Sequence, residues 1–363
     1  MSWTLGEVAP LERYGFDPAC QAEFCRRAPQ TSQNAVVGEL TPLPDERLVR
    51  FPSLGSPRRR ELAERGWGAV RAGRVGVVVL AGGMATRFGG VVKAVVPVLG
   101  DRSFLMLKAE DVARVGATAG RAVPTYVMSS FATHDVIVEH VESQRLAGIT
   151  GVFPQRVALR LTPAGAVFRD RAGKPSPHAT GHGDLVDALR KSGVLRRFRE
   201  GGGTTLFMTN VDNLGATLDP AMVGLHDELG GAVTVEVVRK WVGDAGGAPA
   251  LLDGVPQIIE GFRFPNDFDQ SRIGVFNTNT LTFDATAIDR EFALPYYRVE
   301  KKVDGEPVIQ FERLVGELTA LLPSRFVEVD RDGPDCRFIA VKEPADLVAQ
   351  QAMIAAVTAA LRI

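Results

Sequence analysis

Two glycines after a short apolar run, followed by two cations, are the first residues in this chain that could do chemistry. Gly82 and Gly83 come just after the run 77–80, and Arg87 and Lys93 lie five and eleven residues after Gly82. Glycine lets main-chain amides approach a ligand closely, and such turns often hold phosphate. The two cations would supply positive charge to a polyphosphate. The pattern therefore predicts a phosphate-binding loop, with a plain tight turn carrying two surface cations as the alternative.

The loop matches neither of two common phosphate-binding signatures. A P-loop requires GxxxxGK followed by Ser or Thr, and no glycine in this chain precedes that combination. A dinucleotide fingerprint requires GxGxxG, but Met84 and Ala85 stand where its second glycine would be. The loop follows a predicted strand, so we expect it at the carboxyl end of that strand, where ligands bind in open α/β sheets.

The elements that must position this loop alternate between strands and helices after Val75. Short apolar β-branched runs between helical stretches favour βαβ units and a mostly parallel sheet. Residues 1–70 show little strand signal, and 56–73 is predicted as a helix with a charged outer face. Strands are predicted at 76–80, 124–129, 204–209, 232–238 and 337–341, and helices near 104–115, 132–146, 183–199, 219–229, 310–322 and 344–362.

The composition is that of an ordinary globular protein and excludes several classes of function. The 363 residues include 42 lysines and arginines against 43 aspartates and glutamates, a formal net charge of −1. This balance predicts no nucleic-acid or membrane partner. The three cysteines lack CxxC spacing, which argues against a disulfide framework or a zinc site. Residues 1–10 do not resemble a signal peptide and no apolar run could span a bilayer, so a cytoplasmic protein is expected.

The glycine loop and eight later segments resemble the motifs of one enzyme family. The loop LAGGMATRFGGVVK (80–93) resembles the LAGGxGTRLGxxxPK signature of sugar-1-phosphate nucleotidyltransferases, although Ala85 replaces a glycine and Lys93 lacks the preceding proline. The later segments resemble motifs of the UDP-glucose pyrophosphorylase family, in family order. They are YVMSSFATHD (126–135), GVFPQRVALRLTP (151–163), TGHGDL (180–185), LFMTNVDNLGATLDP (206–220), VEVVRKWVGDAGG (235–247), VFNTNTLTF (275–283), VIQFERLVGEL (308–318) and CRFIAVKEPADL (336–347).

This resemblance implies a fold and a division of the chain. The fold would be a Rossmann-like α/β nucleotidyltransferase fold of the GT-A type, with a mixed, mostly parallel sheet flanked by helices. Residues 1–72 would form an N-terminal helical segment and residues 73–363 the catalytic domain. The resemblance is to a short bacterial form, without the carboxyl-terminal left-handed β-helix into which longer eukaryotic members continue.

The resemblance also implies roles for individual residues. Lys93, Lys342 and Arg87 would be the catalytic cations, and Asp212 would bind Mg²⁺, for which one carboxylate suffices beside water and phosphate oxygens. The nucleotide would contact Leu80, Ala81, Gly82, Gly83, Met128, Gln155 and Gly181. The sugar phosphate would contact His182, Asn210, Lys240, Asn277, Asn279 and Glu312. Gln155 would read the base, because an amide both donates and accepts, as the imide edge of uracil requires.

Several of these residues have simpler interpretations when each is taken alone. Gln155 would then be a surface glutamine, and His182 a structural histidine. Asp212 and Asn213 would form an Asx turn that caps the following segment. Glu312 would be a carboxylate at the start of a helix.

The expected reaction joins a nucleoside triphosphate and a sugar 1-phosphate to give a nucleotide sugar and pyrophosphate. UTP with glucose 1-phosphate is the default. The alternative within the family is a valienol 1-phosphate guanylyltransferase, which uses GTP and a cyclitol phosphate in aminocyclitol antibiotic pathways. A GT-A glycosyltransferase normally has paired aspartates, whereas Asn210-Val211-Asp212 contains one. A non-catalytic sugar-nucleotide sensor is a further alternative, and the presence of Lys93, Asp212 and Lys342 argues against it. The sequence leaves the oligomeric state open.

Overall fold

The structure is a computed structural model that describes residues 3–85, 88–241, 243–244 and 246–359. Its α-helices are α1 (Leu5–Val8), α2 (Pro18–Arg27), α3 (Pro57–Arg71), α4 (Phe104–Ala119), α5 (His134–Ser143), α6 (Leu185–Lys191), α7 (Val194–Glu200), α8 (Pro220–Leu229) and α9 (Pro344–Ala359). Local chemistry marks several helix starts. Asp17, Ser56, Ser103 and Asp219 precede α2, α3, α4 and α8, and each accepts a hydrogen bond from a backbone amide of the first turn.

The strands form one large sheet and several small ones. They are β1 (Leu40–Pro42), β2 (Leu48–Arg50), β3 (Val75–Leu80), β4 (Met84–Ala85), β5 (Val91–Val92), β6 (Pro97–Leu99), β7 (Arg102–Ser103), β8 (Thr125–Ser129), β9 (Ile149–Pro154), β10 (Val157–Leu159), β11 (Pro177–Ala179), β12 (Thr205–Asn210), β13 (Val233–Arg239), β14 (Ala248–Leu252), β15 (Val255–Ile259), β16 (Val275–Asp284), β17 (Tyr297–Val303), β18 (Glu306–Glu312) and β19 (Ser324–Glu328). Short 3₁₀ turns lie at 9–14, 45–47, 93–95, 182–184, 261–263, 270–272 and 315–320.

The central sheet has eight strands in the order β2-β19-β13-β16-β12-β3-β8-β9. Every neighbouring pair is parallel except the two that involve β16, which runs antiparallel to both β12 and β13. The predicted mixed, mostly parallel α/β sheet is therefore confirmed. In a parallel arrangement the carboxyl ends of β12, β3, β8 and β9 meet at one edge, and this edge carries the site described below.

Strand β3 is buried on both faces, which explains its unbroken apolar sequence. Its side chains alternate between two cores. Val77 and Val79 belong to the core that also contains residues of α3, α4, α8 and α9. Val78 and Leu80 belong to the core that contains residues of α6 and α7 and of the antiparallel strand β16. Helices therefore cover both faces of the sheet, as in other open α/β folds.

Two predicted elements are wrong and one is divided. Residues 310–322 are not a helix: β18 ends at Glu312, and a 3₁₀ turn follows at 315–320. The missed signal is Asp304-Gly305, whose positive φ values of 54° and 88° form the turn between β17 and β18. The predicted helix 183–199 is split into α6 and α7 at Gly193, which has a φ of 72°.

The predicted strand 337–341 is the second error. The segment pairs with the loop after β12 instead of joining a sheet. Its bonds include Val341 N to Asp212 O at 3.1 Å, and Ile339 N to the Asn213 side chain at 2.9 Å. Arg337 is fully buried and its guanidinium binds the Glu236 carboxylate at 2.7 Å. Asn213 is therefore structural, because its amide ties the loop 337–339 to β12.

The first 72 residues contribute to the same folded unit. The predicted helix at 56–73 is confirmed as α3. The segment also supplies two strands that the sequence does not predict, β1 in a three-stranded sheet and β2 at the edge of the central sheet. The division between 1–72 and 73–363 stays a prediction.

Candidate active site

The carboxyl ends of four parallel strands open onto a cavity of about 290 Å³. Leu80 ends β3, Met128 lies in β8, Gln155 follows β9, and Asn210 ends β12. Predicted site residues that line the cavity are Leu80, Gly82, Gly83, Lys93, Met128, Gln155, Gly181, His182, Asn210, Asp212 and Glu312. Ala179 and Val211 also line it, and the sequence offers no polar signal that would have identified them.

Lys93 and Asp212 meet in this cavity although 119 positions separate them. The Lys93 ammonium donates to Asp212 Oδ2 at 2.5 Å, and the two side chains are 13% and 25% exposed. The Lys93 backbone amide donates to the Gly83 carbonyl at 3.4 Å, which connects the lysine to the glycine loop. The cation and the carboxylate therefore lie side by side. The ammonium could bind a triphosphate, and the carboxylate could bind the cation that accompanies it.

Lys342 follows a residue that is hydrogen-bonded to Asp212, but Lys342 itself does not line the cavity. Its neighbour Val341 donates its amide to the Asp212 carbonyl at 3.1 Å. The Lys342 side chain is exposed, and its backbone amide donates to Asp346 Oδ2 at 2.7 Å. Its predicted catalytic role stays a prediction. Arg87, the third predicted cation, lies outside the described residues.

Gln155 lines the cavity, and its amide oxygen is buried. The side chain is 6% exposed, and its Oε1 atom has no hydrogen-bond partner among the described residues. Its Nε2 atom lies so close to Gly82 that a Cβ there would stand 2.2 Å away. A side chain at position 82 would therefore displace the Gln155 amide from its present position. An unpartnered buried amide oxygen costs free energy, and a base with a matching donor would recover it.

His182 is held as a neutral donor by the turn that precedes α6. Gly181 adopts a φ of 94°, and a Cβ there would lie 2.5 Å from the Arg313 carbonyl oxygen. His182 Nδ1 accepts a hydrogen bond from the Val315 amide at 3.1 Å. The ring proton therefore sits on Nε2. Burial lowers the pKa of His182 to about 4, so the ring is neutral at pH 7.

Three asparagines form a connected group beside the cavity. Asn279 donates its amide to Asn210 Oδ1 at 2.9 Å, and its backbone amide donates to Asn277 Oδ1 at 2.9 Å. Asn279 has a φ of 55°, and its own Oδ1 atom is buried without a partner among the described residues. Asn210 lines the cavity, whereas Asn277 and Asn279 stand behind it.

Two further predicted residues are not brought to the cavity. Ala81 is buried, and its backbone amide donates to the Met128 carbonyl at 2.8 Å. Lys240 is half-buried and its ammonium donates to the Gln270 carbonyl at 3.2 Å. Burial lowers the pKa of Lys240, and the nearby Asp244 opposes that shift.

A second cavity, of about 580 Å³, lies between the loop 30–34 and residues 295–298. It is larger, but its described lining residues include none of the predicted site residues. Volume alone does not identify a site. The smaller cavity, with its cation, carboxylates and unpartnered amide, is the better candidate.

A family model described as UTP–glucose-1-phosphate uridylyltransferase matches residues 21–361. The chain belongs to this family. The relationship to UDP-glucose pyrophosphorylases that the motifs suggest is thereby confirmed. The short bacterial form and the guanylyltransferase branch stay predictions.

Curated relatives in the uridylyltransferase family are longer than this chain. The UTP–glucose-1-phosphate uridylyltransferase of Solanum tuberosum is 29% identical over 293 residues, which are 76% of this chain and 60% of the relative. The enzyme of the same name from Hordeum vulgare is 27% identical over 369 residues, 96% of this chain and 74% of the relative. The chain thus spans about three fifths of the first relative's length.

Solved structures show the same fold. The UDP-N-acetylglucosamine pyrophosphorylase of Trypanosoma brucei has a TM-score of 0.79 and 20% identity, covering 95% of this chain and 79% of that one. A UDP-glucose phosphorylase from Trypanosoma brucei has a TM-score of 0.76 and 22% identity, covering 95% of this chain and 77% of that one. The predicted nucleotidyltransferase fold is therefore confirmed.

One carboxylate in the cavity could contribute to a metal site that a ligand's phosphates complete. No group of three or more His, Cys, Asp or Glu side chains in the described part of this uridylyltransferase-family chain could hold a metal ion. Asp212 nevertheless lines the cavity and could give one carboxylate oxygen to a hard cation. Mg²⁺ commonly binds one or two carboxylates together with substrate phosphates and water.

Each helix within the described ranges is too short or too polar to cross a bilayer.

Proposed function

We propose that this chain is a nucleotidyltransferase that joins UTP and glucose 1-phosphate to give UDP-glucose and pyrophosphate. The observation that carries the proposal is the meeting of Lys93 and Asp212 at 2.5 Å, in a cavity that also contains the glycine loop and Gln155. Membership of the uridylyltransferase family supports the same reaction.

The chemistry requires positioning more than proton transfer. An oxygen of the sugar phosphate forms a bond to the α-phosphorus of UTP, while the bond to pyrophosphate breaks in line. A phosphate oxygen is already nucleophilic at neutral pH, so no general base is needed. The difficulty is repulsion between two anions, which costs about 1 kcal/mol per charge pair at contact in water and several times more in a partly dry site.

Positively charged side chains and a bound cation would oppose this repulsion. The Lys93 ammonium would neutralise charge on the triphosphate, and Lys342 and Arg87 would add to it at the phosphate end. Asp212 would hold Mg²⁺, which when bound supplies further positive charge to the phosphates. Gln155 would present its amide to uracil, and the neutral His182 would donate from Nε2. A cytoplasmic location also stays a prediction.

The test is a substrate matrix. The purified chain is incubated with each of the four nucleoside triphosphates and a panel of sugar and cyclitol 1-phosphates, with Mg²⁺, and pyrophosphate is measured. We expect release with UTP and glucose 1-phosphate, and loss of that release when a chelator removes the metal. Faster release with GTP and valienol 1-phosphate would instead identify the guanylyltransferase branch. Absence of pyrophosphate with every pair would refute the proposal, and a glycosyltransferase would release nucleoside diphosphate from a sugar nucleotide.

A further inference from the structure

Three polar side chains form a line that ends at the cavity. Arg160 follows β10, and Gln310 and Glu312 lie two residues apart on β18. The Arg160 Nε atom donates to Gln310 Oε1 at 3.2 Å, and Gln310 Nε2 donates to Glu312 Oε1. Gln310 is 8% exposed, whereas Glu312 lines the cavity.

The far end of this line is anchored. Arg160 donates through one terminal nitrogen to the Pro177 carbonyl at 2.6 Å and to Ser176 Oγ at 3.1 Å. These groups lie next to or within β11, which is paired with β10. The guanidinium is thereby held in one orientation, and it can only donate hydrogen bonds.

Chemistry sets the direction of the Gln310 amide. A guanidinium offers only donors, so the atom that faces it must be the amide oxygen. The amide nitrogen then points at Glu312. The reverse orientation would place donor against donor at Arg160 and acceptor against carboxylate at Glu312. Both hydrogen bonds therefore run from donor to acceptor in the same direction, from Arg160 to Gln310 and from Gln310 to Glu312, and Glu312 receives an N–H group.

The hydrogen bond from Gln310 occupies Glu312 Oε1 and fixes the orientation of the carboxylate at the cavity wall. A carboxylate accepts hydrogen bonds and repels phosphate, so a hydroxyl group of the ligand is a suitable partner for it in the cavity. We propose that Gln310 and Arg160 are positioning residues that orient Glu312 to accept a hydrogen bond from a ring hydroxyl of the sugar 1-phosphate. This inference rests on the proposed function and adds residues to it that contact no substrate.

The experiment measures hydroxyl recognition. Steady-state kinetics are recorded with glucose 1-phosphate, with its 2-, 3-, 4- and 6-deoxy analogues, and with 2′-deoxy-UTP. The variants are Gln310→Met, which removes the amide at similar volume, and Glu312→Ala, which removes the acceptor. The control is Gln257→Met, a glutamine in β15 that is 7% exposed and does not line the cavity.

In the wild-type chain, we expect one deoxy sugar to lose about tenfold or more in kcat/KM, because the acceptor is left without its partner. Gln310→Met should raise the KM for glucose 1-phosphate about tenfold, with kcat and the KM for UTP within about twofold. Discrimination against the same deoxy sugar should fall to about twofold or less. Glu312→Ala should also lose discrimination against this deoxy sugar. The double variant should show little more loss of discrimination than either single variant. Gln257→Met should behave as the wild type does.

Several outcomes would overturn the inference. If Gln310→Met keeps full discrimination against every deoxy sugar, Gln310 does not orient Glu312 for hydroxyl recognition. The lost discrimination could concern 2′-deoxy-UTP, which would assign Glu312 to the ribose. If Gln310→Met does not fold, Glu312→Ala decides, because unchanged discrimination in that variant contradicts the acceptor role. Wild-type turnover combined with any of these results leaves the proposed function standing, whereas a wild-type chain without turnover refutes both.

Discussion

The ion pair between Lys93 and Asp212 is the central feature at the scale of single residues. Both side chains are mostly buried, and the ammonium lies 2.5 Å from a carboxylate oxygen. In the ligand-free site each group satisfies the other. A triphosphate would compete with Asp212 for the ammonium, and a cation would compete with Lys93 for the carboxylate.

Lys93→Ala is expected to lower kcat by at least about tenfold, because one cation that opposes phosphate repulsion is removed. The fold should survive, since the residue lies at the cavity wall. Turnover with UTP and glucose 1-phosphate and the far-UV circular dichroism spectrum test both statements.

Lys302→Ala is the matched control, because Lys302 is an exposed lysine near the tip of the β17–β18 hairpin. Its turnover should equal that of the wild-type chain. A Lys93→Ala enzyme with near-normal turnover would remove this lysine from the mechanism.

At the scale of elements, the turn at 181–184 positions His182 against the segment after β18. Gly181 N-terminal to the 3₁₀ turn adopts a φ of 94°, and its α-carbon faces the Arg313 carbonyl. Asp184 in the same turn is buried and pairs with the Arg313 guanidinium. The turn is therefore held both by close backbone approach and by a buried ion pair.

Gly181→Ala should lower the free energy of unfolding by more than about 2 kcal/mol. About 1–3 kcal/mol comes from a backbone conformation (φ 94°, ψ 165°) that residues other than glycine rarely adopt, and the rest from a Cβ placed 2.5 Å from a carbonyl oxygen. Denaturant unfolding gives the value. The KM for the sugar phosphate should also rise, because His182 moves with the turn.

Gly202→Ala separates the two causes. Gly202 has a φ of 88°, but a Cβ there would meet nothing within 4 Å. Its variant should show the strain alone, about 1 kcal/mol. Equal losses for the two variants would mean that the close approach at Gly181 costs nothing.

At the scale of the whole molecule, a buried ionic cluster connects the amino-terminal segment to the sheet. Arg59 on α3 binds Asp219 at 2.6 Å and Asp335 at 3.1 Å, and it is fully buried. Asp219 also contacts Arg337 at 3.4 Å, and Arg337 binds Glu236 on β13. The cluster therefore joins elements from the beginning, the middle and the end of the described chain.

Arg59→Met should cost about 3–5 kcal/mol of unfolding free energy, because Asp219 and Asp335 would lose a buried countercharge. Chemical denaturation measures this. The neighbouring Arg60→Met is the control, since Arg60 is exposed and its side chain donates to the Gly55 carbonyl at 2.8 Å. A loss below about 1 kcal/mol for Arg59→Met would show that the cluster does not hold the segment in place.

Local sequence patterns predict several strands of the central sheet, and the ends of these strands line the cavity. The apolar runs that become β3, β8, β12 and β13 are recognisable in the sequence, because a strand buried on both faces needs continuous apolar side chains. Loops that follow parallel strands necessarily meet at one edge. The glycine loop after β3 and Asp212 after β12 could therefore be expected at the same edge, whereas Gln155 is expected there only from the family resemblance, because the sequence analysis predicts no strand before it.

Only the tertiary structure decided where the remaining groups lie. The strand β18 reads as a helix until its pairing with β17 is known, because hairpin partners and not single residues select the extended backbone. The partner of Lys93, the backing of Glu312 by Gln310 and Arg160, and the exclusion of Lys240 and Asn277 from the cavity lining all depend on residues far apart in the chain. The orientation of a charged or amide side chain depends on the partner that the fold places beside it. Periodicity along the sequence does not identify that partner.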